Sequence, residues 1–194
     1  VITARNVLFV LVLGSAWGLA EVFGRGLLAE IGVGGATIWL AVWAVMLLSL
    51  GRGLWNRIGS STLIGLVAAG FKFAGSSLFF CQLLGIVAIG VFFDIFASIL
   101  LARGRSGWWR HALSGALTVY GARTFFVAYS VLVARWDRWV EGGTEMAVEH
   151  VLGSGSIAAV VVCLLAPVGF RLGAKAMEAL SGRPAADAVA AGNR

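Results

Sequence analysis

With 60% hydrophobic and only 12% charged residues at a mean hydropathy of +0.94, this 194-residue chain lies outside the balance of a soluble domain. It reads as an integral membrane protein with room for about six helices of roughly 20 residues each, which excludes a separate soluble domain. The formal net charge of +6 is spread over segment ends, where basic residues meet anionic lipid, so it requires no nucleic-acid partner.

The fold class expected is an all-α bundle of six transmembrane helices, because the apolar runs lack the period-two alternation of a membrane β-barrel. In chain order the spans fall at 6–30, 34–51, 59–77, 79–102, 111–134 and 151–171. The first is read as a retained helix rather than a signal peptide, because Glu21 and Arg25 interrupt it and no small-residue cleavage site follows. The third and fourth are divided only by Ala74, Gly75, Ser76 and Ser77, small residues that mark a turn in an otherwise continuous apolar stretch. The domain runs over 1–175, followed by a short flexible tail at 176–194. The 27 glycines suit helices that pack backbone to backbone.

Orientation follows from the basic residues in the connections. Arg52 and Arg57, then Arg103, Arg105 and Arg110, then Arg171, Lys175 and Arg183 mark three cytoplasmic regions and place both termini inside. The connection 135–150, with Asp137, Glu141, Glu145 and Glu149 against Arg135 and Arg138, lies outside. The expected location is the cell's inner (cytoplasmic) membrane, as a multi-pass protein in contact with lipid. Trp55, Trp108, Trp109, Trp136 and Trp139 fall at interfaces and read as anchors. Trp17, Trp39 and Trp43 fall within spans, where they either line a cavity or face lipid.

Charge inside these spans is the strongest pointer to function, since each ionised side chain at that depth costs several kcal/mol unless it is paired or wetted. Glu21, Lys72, Asp94 and Arg123 are so placed. Glu21 and Arg25 are four apart and can pair on one helix face. Asp94 and Arg123 read as a buried structural ion pair between adjacent helices. Glu21, Arg25, Lys72 and Arg123, with Tyr120 a turn from Arg123, could line an outward cavity whose excess of cations suits an anionic or zwitterionic ligand. On the first helix Gly14 and Gly18 form a GxxxG pair and Ala16 and Ala20 a neighbouring small pair, which offers a smooth face either to another helix of the bundle or to a partner subunit.

Several chemistries find no support. His111 and His150 are predicted at opposite membrane faces and cannot share a haem or metal. Cys81 and Cys163 lack CxxC spacing, and there is no Walker loop, GxSxG or HExxH motif. No cofactor, no metal site and no enzymatic activity are expected.

Six helices in this length, termini inside, the Ala16-Trp17-Gly18-Leu19-Ala20 surface and polar groups gathered outward resemble the substrate-binding S components of energy-coupling factor (ECF) transporters. The resemblance implies that Ala16 and Ala20 dock on a membrane coupling subunit, that ATPases act through that subunit, and that a small molecule binds near the outer surface through Glu21, Arg25, Lys72 and Arg123. Two other readings stand beside it. One is a non-catalytic accessory subunit that scaffolds a larger membrane complex. The other is a proton-coupled transporter titrating Asp94 or Glu21, although no internal repeat of the kind common in such transporters is visible.

Overall fold

The computed structural model describes residues 3–73, 80–101 and 107–182. Among these the chain is helical throughout, with no strand. The main helices are α1 (Ala4–Glu30), α2 (Ala36–Leu54), α3 (Ser60–Phe73), α4 (Phe80–Leu101), α5 (Trp108–Leu132) and α8 (Ser154–Ser181). Between α5 and α8 lie two short helices, α6 (Asp137–Glu141) and α7 (Gly143–Val148), and a π-helical turn over Glu149–Gly153 that leads into α8. Over its described residues each apolar run of the sequence therefore forms a helix, and the acidic connection is largely helical from Asp137 as well, where an irregular loop is the simpler expectation. The turn at 74–77, Arg103, Arg105 and Arg183 lie outside the described residues. Helix α8 continues past 175 to Ser181, so the start of the expected tail is ordered helix.

Four stretches are long and apolar enough to cross a membrane: α1, α2, Gln82–Leu101 of α4, and the continuous helical run Gly143–Ser181. At 14 residues α3 is apolar but short, about 21 Å against a hydrocarbon core of about 30 Å. The 25-residue α5 is long enough but more polar, and it turns its polar groups inward: Ser114, Thr118, Arg123 and Ser130 are buried. Outward faces carry the opposite chemistry. Leu8, Leu11, Phe23, Ile99, Val160 and Leu164 are all exposed, the inside-out pattern that a hydrocarbon solvent selects.

The six main helices close into a ring in the order α1, α3, α4, α5, α8, α2, each packing against the next and α2 returning to α1. Trp17, Val45, Leu48, Ile64 and Val162 fill its centre. Small residues set the closest approaches. A Cβ placed on Gly14 would fall 2.5 Å from Cβ of Val67, and one on Gly18 2.7 Å from Cβ of Phe71, so the GxxxG face of α1 is filled by α3. This internal contact removes Gly14 and Gly18 from the expected partner-docking surface. A second glycine pair, Gly169 and Gly173, joins Gly53 in bringing α8 against the backbone of α2, close to the carbonyls of Met46, Leu50 and Phe170.

A buried polar clamp ties α2, α3 and α4 together at one end of the ring. Nη2 of Arg52 lies 3.1 Å from Oδ1 of Asp94 and donates to the Ser98 hydroxyl at 2.7 Å and the Asp94 carbonyl at 3.2 Å. The Asp94 carboxylate in turn accepts from the amides of Ser61 (3.3 Å) and Thr62 (2.7 Å) and from the Thr62 hydroxyl (2.6 Å). It thereby caps the N-terminus of α3, where orphan amides and the helix dipole both favour a negative charge. The expected Asp94–Arg123 pair is corrected: the partner of Asp94 is Arg52. The reason lies in depth. Counted from the connected ends of the antiparallel pair, Leu101 of α4 and Trp108 of α5, Arg123 lies about 12 Å farther along the bundle than Asp94 at 1.5 Å per residue. Arg52, assigned to a loop from its charge alone, is in helix and only 3% exposed.

Candidate functional site

At the end of the ring away from the Arg52–Asp94 clamp, the helices splay around a cavity of about 880 Å³, at the upper end of the range for small-molecule sites. Its floor is apolar, built from Leu40, Ala41 and Val45 of α2, Ile86 and Ile89 of α4, and Val119 and Ala122 of α5. Its mouth is covered by α6, α7 and the π-helical turn, which bring in Trp136, Trp139, Glu149 and His150. Helix α1 contributes Glu21 and Arg25 on the wall opposite α5, since the two helices occupy opposite places in the ring.

Three of the expected ligand-binding residues meet here: Glu21, Arg25 and Arg123. Two do not. Lys72 donates from Nζ to the backbone carbonyl of Glu21 at 2.8 Å, behind the cavity wall. Tyr120 shares a 2.8 Å hydrogen bond with the Ser156 hydroxyl, which itself donates to the Leu152 carbonyl. Both therefore serve helix packing. The Trp17 indole donates to Oε1 of Glu21 at 3.3 Å, which holds that carboxylate with 8% exposure in the wall. Glu21 and Arg25 do not approach within ion-pair distance of each other. Of the in-span tryptophans, Trp17 is core, while Trp39 and Trp43 are exposed, Trp43 donating to the Ala16 carbonyl at 3.4 Å.

Arg123 is the most constrained group of the site. It is 7% exposed, and no carboxylate among the described residues lies within ion-pair distance of it. Its Nη1 donates to the His150 carbonyl at 2.8 Å and to the Ser154 hydroxyl at 2.5 Å, and Ser154 donates to the same carbonyl at 3.0 Å. The acceptor is thus a backbone carbonyl of the π-helical turn, an irregularity of the kind that often marks functional sites. Gly155 leaves space for the arginine stem, since a Cβ there would stand 3.3 Å from Cδ of Arg123. Nε and Nη2 have no protein acceptor among the described residues, although Arg123 is in the cavity wall.

Next to it is an aromatic cluster. The ring of Trp139 stands nearly perpendicular to those of Phe126 (5.6 Å between centroids, 80°) and His150 (5.1 Å, 79°), and Trp136 meets Phe126 at 6.5 Å. From sequence these tryptophans read as membrane-interface anchors; here they line the cavity, and Trp139 is buried. The signal that would have found them is Arg135-Trp136-Asp137-Arg138-Trp139, too charged for a span and too aromatic for a plain loop.

Comparison with protein-family models, with curated proteins and with solved structures finds no match to this chain.

Among the described residues no group of three or more histidine, cysteine, aspartate or glutamate side chains is placed to hold a metal. His111 stacks on Phe170 at 4.0 Å, and Cys163 points at the Ala112 carbonyl at 3.7 Å, both away from the cavity. The cavity thus offers an apolar floor, an aromatic side, a buried guanidinium with free donors, and charged groups of both signs at its mouth. That combination has the chemistry of a small-molecule site.

Proposed function

We propose that this protein is a multi-pass subunit of the cytoplasmic membrane, six helices with both termini inside, which captures a small molecule from the outer side in its cavity. The carrying observation is Arg123. A guanidinium 7% exposed with no carboxylate partner among the described residues is costly to fold unless a ligand anion supplies the missing charge. The cavity's position supports the same direction of capture, since it opens at the end bearing the acidic connection and the clamp closes the end bearing the basic ones. The ligand is a carboxylate or phosphate, or a zwitterion that also uses Glu21, and binding without chemistry is its role.

The S-component-like reading extends this to a transporter in which a membrane coupling subunit and its ATPases move what this chain binds. With Gly14 and Gly18 occupied by α3, docking on α1 rests on the half-buried Ala16 and Ala20 and on Leu19 and Phe23 beside them, which are exposed.

Calorimetric titration of the detergent-purified protein with a panel of small carboxylates, amino acids and phosphate monoesters tests the binding reading. Any anion that binds should lose about 2–5 kcal/mol in Arg123→Met, the cost of removing one partner of a desolvated charge pair, while helicity is retained. A panel without a binder, or a binder indifferent to Arg123→Met, would leave the accessory-subunit reading in its place.

A further inference from the structure

We infer that the cavity selects an aromatic acid, a planar ring carrying a carboxylate or phosphate a few bonds away. This rests on the binding reading above and adds the chemistry of the uncharged part of the ligand. Arg123 and Phe126 are three residues apart on α5 and so project from one face of that helix. His150 joins the two, because its carbonyl accepts from Arg123 while its ring stands 6.0 Å from that of Phe126 and 5.1 Å from that of Trp139. The guanidinium and the three rings are therefore one continuous patch, and all four residues line the cavity.

The angles within the patch give it a shape. Trp139 is held at about a right angle to both Phe126 and His150, so the rings form a corner and do not stack flat. A planar ligand placed in that corner meets one ring face to face and another edge to face, the two arrangements the aromatic quadrupole favours. The remaining donors of Arg123 stand beside the corner, where a ring substituent's oxygens would reach them as a bidentate pair. An aliphatic acid of equal size would satisfy the guanidinium and the apolar floor but would gain nothing from the ring geometry. The cavity lining carries equal numbers of carboxylates and arginines, Glu21, Asp137 and Glu149 against Arg25, Arg123 and Arg138, so it confers no general preference for polyanions.

Three size-matched probes separate the contributions: naphthylacetate, its fully saturated decalyl counterpart, and naphthylethanol, each titrated by calorimetry into the full-length protein in one detergent. Naphthylacetate should bind about 3–10-fold more tightly than the decalyl acid, the worth of aromatic contact beyond area. It should also bind more tightly than the alcohol. In Trp139→Leu the preference for the aromatic acid over the saturated acid should vanish while the preference for acid over alcohol remains; in Arg123→Met the pattern should reverse. Phe126→Leu makes the same test if Trp139→Leu does not fold. Equal binding of both acids by the parent would overturn the aromatic selectivity and leave the anion reading standing. No preference for acid over alcohol in the parent, or one unchanged in Arg123→Met, would overturn the anion reading itself.

Discussion

Asp94 and Arg123 are both buried charges, yet their surroundings assign them opposite roles. Asp94 accepts from two amides, a hydroxyl and a guanidinium, so its charge is satisfied within the bundle and stabilises the junction of three helices. Among the described residues Arg123 is bonded only through Nη1 and only to neutral oxygens. Asp94→Ala should therefore destabilise the purified protein by about 3–5 kcal/mol, because it strands Arg52 in a site where that residue is 3% exposed. Arg123→Met, which removes an unpaired charge and keeps the apolar stem, should hold or raise the midpoint of chemical denaturation of the ligand-free protein. The double variant Arg52→Met with Asp94→Leu should recover much of the loss, since a well-packed apolar pair is no less stable than a buried ion pair. A double variant no more stable than Asp94→Ala would show that capping of α3, not charge pairing, is the main contribution.

At the scale of the helix, the glycines of α1 are not equivalent. Gly18 is covered by Phe71, whereas a Cβ on Gly26 would meet nothing within 4 Å. Gly18→Leu should cost about 1–3 kcal/mol or more by overpacking the α1–α3 contact, and Gly26→Ala should stabilise by about 0.5–1 kcal/mol through helix propensity. Thermal denaturation read by circular dichroism distinguishes the two, and a tolerated Gly18→Leu would return that face to the surface. The sequence showed that α1 carries a packing face but not which neighbour fills it, because small-residue spacing describes one helix and its partner is set by the ring order. Helix positions were legible for the same reason that partners were not: hydropathy is local, whereas the pairing of Asp94 with Arg52, 42 residues earlier in the chain, is a product of topology. Half of the site followed the same division. Glu21, Arg25 and Arg123 stood out as charges in apolar sequence, while Trp139 and His150 gave no such contrast, since their placement depends on how α6 and the π-helical turn fold back over the cavity.

For the whole molecule, the two ends of the ring differ in chemistry, and that difference carries the orientation. The clamp end gathers Arg52, Arg57, Arg110 and Arg171, and the connection over the cavity end carries Asp137, Glu141, Glu145 and Glu149 against Arg135 and Arg138. Basic connections are retained on the cytoplasmic side during insertion, so the cavity should open to the exterior. Single cysteines report on this in a background lacking Cys81 and Cys163. Ile58, between α2 and α3, is 82% exposed, and Thr144, at the start of α7, is also exposed, so neither substitution disturbs packing. In intact cells a membrane-impermeant maleimide should modify Ile58→Cys only after permeabilisation and Thr144→Cys without it. Modification of Ile58→Cys from outside would invert the topology, turn the cavity toward the cytoplasm, and replace capture from the exterior with recognition of an internal metabolite by the same Arg123.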